Sequence, residues 1–457
     1  MSAERRRRPW GVLTLDTPPL RGADSRLAIV VGVLGAVFLL VPRGLGWVGD
    51  HLWAEDGAIF LAEQHSLGVS SWFVTYGGYL HLIPRALATA FAGAPLEVYP
   101  SVMLACTVVF RLIAYGYAAR LFASYLGSAR WGIAAAAVGV LFLPVGQWEV
   151  VGNITNLRWT LDVLVVVLLM SVFTRPAAAL WAGLLLFGAA MSDPLVIGMA
   201  PLVLLRLVDG RGWSRLPALA FTAGAIGQAL LMKGTSRTIP EAENFLQHPG
   251  DLGIQLALRG PLSTQFGVTW ASEQAIGDVR WLWAAVAGTV VILLASLGAR
   301  RTGGVAPGAR VAFLVVWAGA GLALFLATMA FVSMPAASAD RWDLIATNVP
   351  RYTALLCFFL TPVLVAGWQA LCSWRGVGRI ARVVALASMV VLAAGMVRDF
   401  GGYPLQYDTE SWRGQVAAAR AQCDAGGGPA RLTLSPHWWG QVERACDGTI
   451  TTLRRDP

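Results

Sequence analysis

Glu55 and Asp56 stand side by side in the segment Asp50-His51-Leu52-Trp53-Ala54-Glu55-Asp56-Gly57, just past the first long apolar run of the chain. Carboxylates placed where a helix leaves a bilayer can take a proton or bind a hard cation. The stretch that follows is dense in polar side chains: Glu63, His65, Tyr76, Tyr79, His81 and Arg85. Glu55, Ile59 and Glu63 fall at helical spacing, which predicts a short amphipathic helix over 54–65 lying along an interface. Two readings stay open at this point, a polar chamber and a solvated interfacial helix with ordinary carboxylates.

The elements that must position these residues follow from composition. The 457 residues are 56% hydrophobic and only 13% charged, too apolar for soluble domains of this length. A bilayer core about 30 Å thick takes roughly 20 apolar residues per helical span, and the chain offers about eleven such runs. They lie near 27–46, 99–119, 131–147, 157–174, 177–192, 194–208, 216–232, 281–299, 311–333, 351–371 and 381–398. The expected fold class is therefore an all-α polytopic membrane protein.

The net charge of +9 comes almost wholly from arginine, since Lys233 is the one lysine. With a cytoplasmic N-terminal tail over 1–26, every second connection is arginine-rich: Arg120 and Arg130, Arg175, Arg206 to Arg215, Arg300 to Arg310, and Arg375 to Arg382. That alternation is what the positive-inside rule requires. Arginines used in this way set topology, so nucleic acid is excluded as a partner. The transmembrane domain is expected over 27–398, with extracytoplasmic loops at 47–98, 148–156, 233–280 and 334–350. A small extracytoplasmic segment over 399–457 follows. Localisation is expected to be the plasma membrane, multi-pass. In the exported segment Cys423 and Cys446 meet the oxidising conditions that favour a disulfide, whereas Cys106, Cys357 and Cys372 read as small core residues.

Three buried charges stand out: Arg111 in the second span, Asp162 in the fourth and Asp193 between the fifth and sixth. Each would cost roughly 2.5 to 3.5 kcal/mol unpaired at mid-bilayer, so an Arg111–Asp162 ion pair is expected. No P-loop, HExxH, CxxC or GxSxG stands in a plausible context.

The acidic pair in the first extracytoplasmic loop resembles the motif of the C-type superfamily of integral-membrane glycosyltransferases (GT-C). The wider stretches Trp53-Ala54-Glu55-Asp56-Gly57-Ala58-Ile59-Phe60 and Tyr76-Gly77-Gly78-Tyr79-Leu80-His81-Leu82-Ile83-Pro84-Arg85 look like a poorly characterised bacterial branch of it. The resemblance covers the first two spans, and the rest of the chain mainly as topology. It implies transfer of a sugar from a polyprenyl-phosphate donor to a cell-envelope glycan or lipid acceptor. Such a reaction needs a base for the acceptor hydroxyl and positive charge for the departing phosphate. Asp56 is the expected base, with Glu55 as its partner. Arg85 and Arg351, the latter beside Tyr352 in Asn348-Val349-Pro350-Arg351-Tyr352, are the expected phosphate ligands, although an arginine at the mouth of a span also snorkels to headgroups. Tyr79, His81, Asn153, Asn156 and Arg158 are expected to line the substrate site, the last three in a loop flanked by Trp148 and Trp159. No resident cofactor is expected. A divalent cation on Glu55 and Asp56, magnesium, manganese or calcium, is the alternative. Against the transferase stand a transporter or flippase of lipid-linked sugars and a non-catalytic envelope-assembly protein.

Overall fold

The computed structural model describes residues 49–126, 131, 152–209, 212–233, 249–271, 279–296, 307–331, 351–373, 378–402 and 409–453, together with residues 26, 30, 33 and 34. Nearly all of the expected runs 27–46 and 131–147, and the whole of the loop 334–350, lie outside these residues. Among the described residues five helices are long and apolar enough to cross a membrane, Leu96–Leu126, Gly212–Lys233, Gly308–Ala330, Leu355–Ser373 and Gly378–Asp399. Pro176–Ala190, Pro194–Val208 and Ala285–Ala295 are apolar but shorter. The chain is thus a largely helical membrane protein.

The first loop forms a widened turn, Asp56–Leu61, that runs into α1 (Ala62–Leu67), followed by a tight turn Gly68–Phe73 and α2 (Leu82–Ala90). α3 (Tyr99–Leu126) is the first described span. α4 (Arg158–Met170) continues a tight turn Thr155–Leu157, and every residue from Trp159 to Met170 is buried. A helix apolar all round belongs inside a bundle rather than against lipid. At 13 residues it spans about 20 Å, less than the run 157–174 predicts. It stops at Ser171 because the backbone there is extended, and Arg206 takes over its last carbonyls, Nε donating to Leu169 O at 2.6 Å and Nη2 to Ser171 O at 2.8 Å.

Around α4 pack α3, α5 (Pro176–Ala190), α6 (Ala200–Asp209), α11 (Pro307–Phe331) and α12 (Arg351–Ser373). α5 lies closely against α7 (Arg215–Lys233). A Cβ on Gly224 would stand 2.7 Å from the Phe187 carbonyl oxygen, so glycine is what lets these two backbones meet. α10 (Val279–Ala295) and α13 (Gly378–Gly402) flank α12.

Two parts differ from expectation. The stretch 249–271, inside the expected extracytoplasmic loop 233–280, is helical and packs against the spans. It comprises α8 (Pro249–Ala257), a widened turn Leu258–Leu262 and α9 (Ser263–Phe266). Buried Arg259 donates from Nη1 to Thr353 Oγ1 at 3.0 Å, and Asp399 accepts from the amides of Val268 and Thr269 at 2.8 and 2.9 Å. Polar residues that satisfy one another in this way mimic an aqueous loop in a hydropathy reading. The C-terminal segment, in turn, is not all-α. α14 (Trp412–Asp424) packs on an antiparallel sheet of β1 (Ala430–Thr433), β2 (Gln441–Arg444) and β3 (Ile450–Thr452), in the order β1-β2-β3. The Cys423–Cys446 disulfide is formed and ties the end of α14 to the residues after β2.

This C-terminal module shares one core with the first loop: Trp412, Val416, Leu432, Leu434, Val442 and Ile450 pack with Leu52, Ala58, Phe60, Leu61 and Tyr99. Backbone bonds stitch the two together, Ala54 N to Ser435 O and Ser435 N to Leu52 O, both 2.9 Å.

Candidate functional site

The acidic pair opens the helix that begins at Ala54. Ala62 N reaches back five residues to Gly57 O, which makes the turn after the pair wider than an α-helical one. Such π-turns recur at functional sites. Here it is held from outside: Thr452 Oγ1 donates to the Ala58 carbonyl, and Leu434 lies against Gly57.

The two carboxyls have different surroundings. Asp56 is 1% exposed. Its Oδ2 accepts from Ile154 N at 2.8 Å, and its Oδ1 accepts from Thr155 N at 3.0 Å and Thr155 Oγ1 at 2.6 Å. It therefore caps, from a distant loop, the N-terminus of the helical segment that becomes α4, where unsatisfied amides and the helix dipole favour a carboxylate. Burial pushes the Asp56 carboxyl up to about 7, the three hydrogen bonds opposing and the neighbouring Glu55 charge adding. Three donors are the complement of a carboxylate, not of a metal ion. Among the described residues no group of three or more His, Cys, Asp or Glu side chains could hold one. Glu55, by contrast, is half-buried.

Next to the pair lies a hairpin. Tyr76 and Tyr79 bridge across Gly77 and Gly78, whose φ of 61° and 86° need residues without a Cβ. Gln228 of α7 clamps the strand that follows, exchanging bonds with Leu80 N and Leu80 O at 3.2 Å each. Ser192 Oγ accepts from Ile83 N at 2.9 Å. The hairpin places Tyr76 in the field of Glu55, and burial first, then that charge, raises the Tyr76 phenol above its ordinary range.

His81 is 2% exposed and packed among Tyr79, Phe60 and Tyr76, with ring centroids 4.3, 5.5 and 5.6 Å away. Nε2–H donates to Tyr76 O at 3.2 Å, leaving Nδ1 as the bare acceptor. Burial, with Arg158 and Arg85 adding, drives the ring down to about 3, so it is neutral at physiological pH.

The arginines divide unexpectedly. Arg85 is 1% exposed, and its Nη1 donates to Glu63 Oε2 at 2.5 Å while its guanidinium lies 5.5 Å from the Phe60 ring centroid. It braces α2 against α1 and does not reach into the open. Arg158, at the start of α4, donates from Nη1 to Tyr79 Oη at 2.8 Å, and its Nε stands 3.8 Å from Asp193 Oδ2. Its guanidinium lies 4.4 Å from the Trp159 ring centroid, and its side chain keeps 19% exposure. Asn153 and Asn156 are buried, and Asn153 Oδ1 accepts from Asn156 N at 2.9 Å, a local bond just ahead of the turn Thr155–Leu157. Arg351 and Tyr352 begin α12, but their side chains lie outside the described residues.

The structure thus brings Glu55, Asp56, Tyr79, His81 and Arg158 together from three separate stretches of chain. The role of Thr155 as Asp56's partner escaped the sequence reading, and so did the pairing of Arg158 with Asp193. The only local signal was the run of polar residues Asn153-Ile154-Thr155-Asn156 ahead of an apolar helix. The expected Arg111–Asp162 pair is not formed: Asp162 is 0% exposed, and neither of its oxygens accepts a hydrogen bond from a described residue. The chain matches no protein-family profile, no curated protein and no solved structure.

Proposed function

We propose that this chain is an integral-membrane glycosyltransferase of the GT-C type, moving a sugar from a polyprenyl-phosphate donor to an extracytoplasmic cell-envelope acceptor. The observation that carries this reading is the convergence at the first loop. A half-buried carboxylate, Glu55, lies beside a hairpin whose Tyr79 hydroxyl is held by an arginine that keeps some exposure.

In this reaction the bond from the sugar's anomeric carbon to the phosphate oxygen breaks, and a bond to the acceptor oxygen forms. The acceptor proton leaves to a base, and the electron pair leaves with the polyprenyl phosphate. Of the two carboxylates Glu55 is the half-buried one, so it takes the acceptor proton. Asp56, with both oxygens engaged by Ile154 and Thr155, fixes the loop that carries Arg158. Arg158 meets the leaving phosphate, since its fork suits phosphate oxygens. Arg85, spent on Glu63, keeps α2 in place. The aromatic rings of Tyr76 and Tyr79 offer the sugar an apolar face.

The site faces the extracytoplasmic side of the plasma membrane, in a bundle of about eleven spans. Buried charge on α4 is the one observation that favours the alternative, a flippase of lipid-linked sugars, because transporters place essential charges in mid-bundle.

The test is transfer by the purified chain in lipid nanodiscs from a panel of polyprenyl-phosphate monosaccharides to envelope glycan acceptors. Glu55→Gln is expected to lower the rate at least a hundredfold with its melting temperature unchanged. Transfer by Glu55→Gln at the parent rate would sink the base assignment, and movement of donor across the bilayer of sealed liposomes holding the chain, without transfer, would favour the flippase.

A further inference from the structure

The chain carries no charged residue from Ser66 to Leu80, nor from Ala86 to Leu96. These stretches hold the tight turn Gly68–Phe73 and most of α2 with the residues after it. The turn packs on α2. Their polar groups meet inside: Gln64 Oε1 accepts from Ser71 Oγ at 3.2 Å and from Thr89 Oγ1 at 2.5 Å, and Trp72 Nε1 donates to Thr89 Oγ1 at 2.8 Å. The large apolar side chains are left outside. Phe73 is 72% exposed, Val69 59%, Leu67 46% and Phe91 38%, with only the uncharged Ser66 and Ser70 and His65 exposed among the polar residues of 65–73. A loop tip in water turns charge outward and rings inward, whereas apolar groups grouped on the outside mark a surface that something covers.

The position of α2 says what covers it. Leu82 N, at the start of α2, donates to Met191 O just past the end of α5 at 3.3 Å, and Ile83 lies against Gly188 of α5. α2 also touches α3, whose span begins at Leu96, shortly after Phe91. It therefore bridges adjacent ends of two helices of the bundle, at the level where a bilayer's hydrocarbon gives way to headgroups. α5 exposes Leu180, Trp181, Leu184 and Phe187, an apolar face that lipid covers, and Phe187 stands next to the Gly188 on which α2 docks. The exposed tip continues from that lipid face.

We propose that the turn Gly68–Phe73, with Leu67 and Phe91, is a membrane anchor whose apolar side chains enter the lipid leaflet beside the C-terminal end of α5. An element of this kind sits about 5–10 Å into the boundary between headgroups and acyl chains, and the missing charges let it do so. Residues 54–65, expected to lie along the interface, have their apolar side covered by the C-terminal module, so the interfacial role passes to the residues that follow. α1 continues directly from the acidic turn, and the anchor thereby fixes the height of Glu55 above the lipid. The anchor needs only a bilayer at this end of the bundle, so its failure leaves the Glu55 assignment untouched.

The test is photocrosslinking of the full chain in nanodiscs of phosphatidylethanolamine and phosphatidylglycerol. Three variants are compared: Phe73→p-benzoylphenylalanine, Val69→p-benzoylphenylalanine and, as the lipid-facing reference, Leu184→p-benzoylphenylalanine, with adducts read by mass spectrometry. Positions 73 and 69 are each expected to give acyl-chain adducts at roughly a third or more of the reference yield. Two positions keep the test decisive where one variant does not fold. A lower yield at the positions that fold overturns the proposal. So does a crosslinked dimer in place of lipid adducts, which would make this surface an interface between two copies, and so does an adduct to another segment of the same chain.

Discussion

Replacing Asp56 with alanine removes the acceptor of three buried donors at one stroke. Ile154 N, Thr155 N and Thr155 Oγ1 are left without that acceptor in a turn where Ile154 is 0% and Thr155 8% exposed. A buried donor without a partner costs roughly 1 to 3 kcal/mol. The Thr155 hydroxyl can rotate towards another acceptor and the carboxyl no longer has to be desolvated, so the net loss is about 3 kcal/mol, from the low end of the three contributions. The damage should be local to the 152–157 turn, where the helix that becomes α4 loses its cap. The assay is hydrogen exchange by mass spectrometry on the full chain in nanodiscs. At about 1.4 kcal/mol per factor of ten, amides of Ile154 and Thr155 should exchange roughly a hundredfold faster in Asp56→Ala. Glu55→Ala, which leaves all three bonds intact, should not change them. Asp56→Asn should fall between, since its amide oxygen can still serve Thr155 while its NH2 faces the Ile154 amide. Exchange of these two amides within threefold of the parent in Asp56→Ala would refute the capping argument.

Three further outcomes are expected. Because the folded-state value of Asp56 lies near 7 and the unfolded value is 3.8, the folded protein alone holds this proton between those limits. Asp56's contribution to stability should therefore fall as pH rises from 4 to 7 and level off above, by at most about 4 kcal/mol. Melting curves of parent and Asp56→Asn across that range check the sign, and a difference that grows more favourable with pH contradicts it. Gly57→Ala puts a methyl group into Leu434 and within 2.9 Å of a Leu52 methyl. It should prise the acidic turn from the C-terminal module, seen as faster exchange at Ala54 and Ser435; unaltered exchange there would show that the contact yields without cost. Reduction of Cys423–Cys446, which are 23 residues apart, should loosen the module by roughly 3 kcal/mol while leaving α4 protected. Equal protection of 412–453 with and without reductant would mean that the shared core suffices.

Much of the bundle is legible in the sequence because apolar runs and arginine placement answer to the bilayer directly. α7, α11, α12 and α13 lie within a few residues of the runs that predict them, and α3 starts where its run does but extends to Leu126. The failures share a cause: polar residues whose partners are far away in the chain look solvated. Arg259 and Asp399 are satisfied across the bundle, so 249–271 reads as a loop although it is packed. Arg85 reads as a free cation until Glu63 is seen on the neighbouring helix. The prominence of Glu55 and Asp56 is visible from position alone, but their division of labour is not. It is set by Ile154 and Thr155, about a hundred residues away, and no local pattern encodes that bond. The short strands of the module escaped for a simpler reason. Each runs for three or four residues, too few for an alternation to stand out.

The hydrogen bond from Thr452 to Ala58 joins residues 394 positions apart. A ribosome adding about 5 to 20 residues per second needs roughly 20 to 80 seconds to make the intervening chain. For that interval the segment around Glu55 exists without Leu434, Ser435 or Thr452 beside it. The acidic turn is made long before the residues that support it. Assembly order thus acts as a checkpoint: a chain interrupted before residue 430 can build most of its bundle, yet it leaves the turn without its clasp.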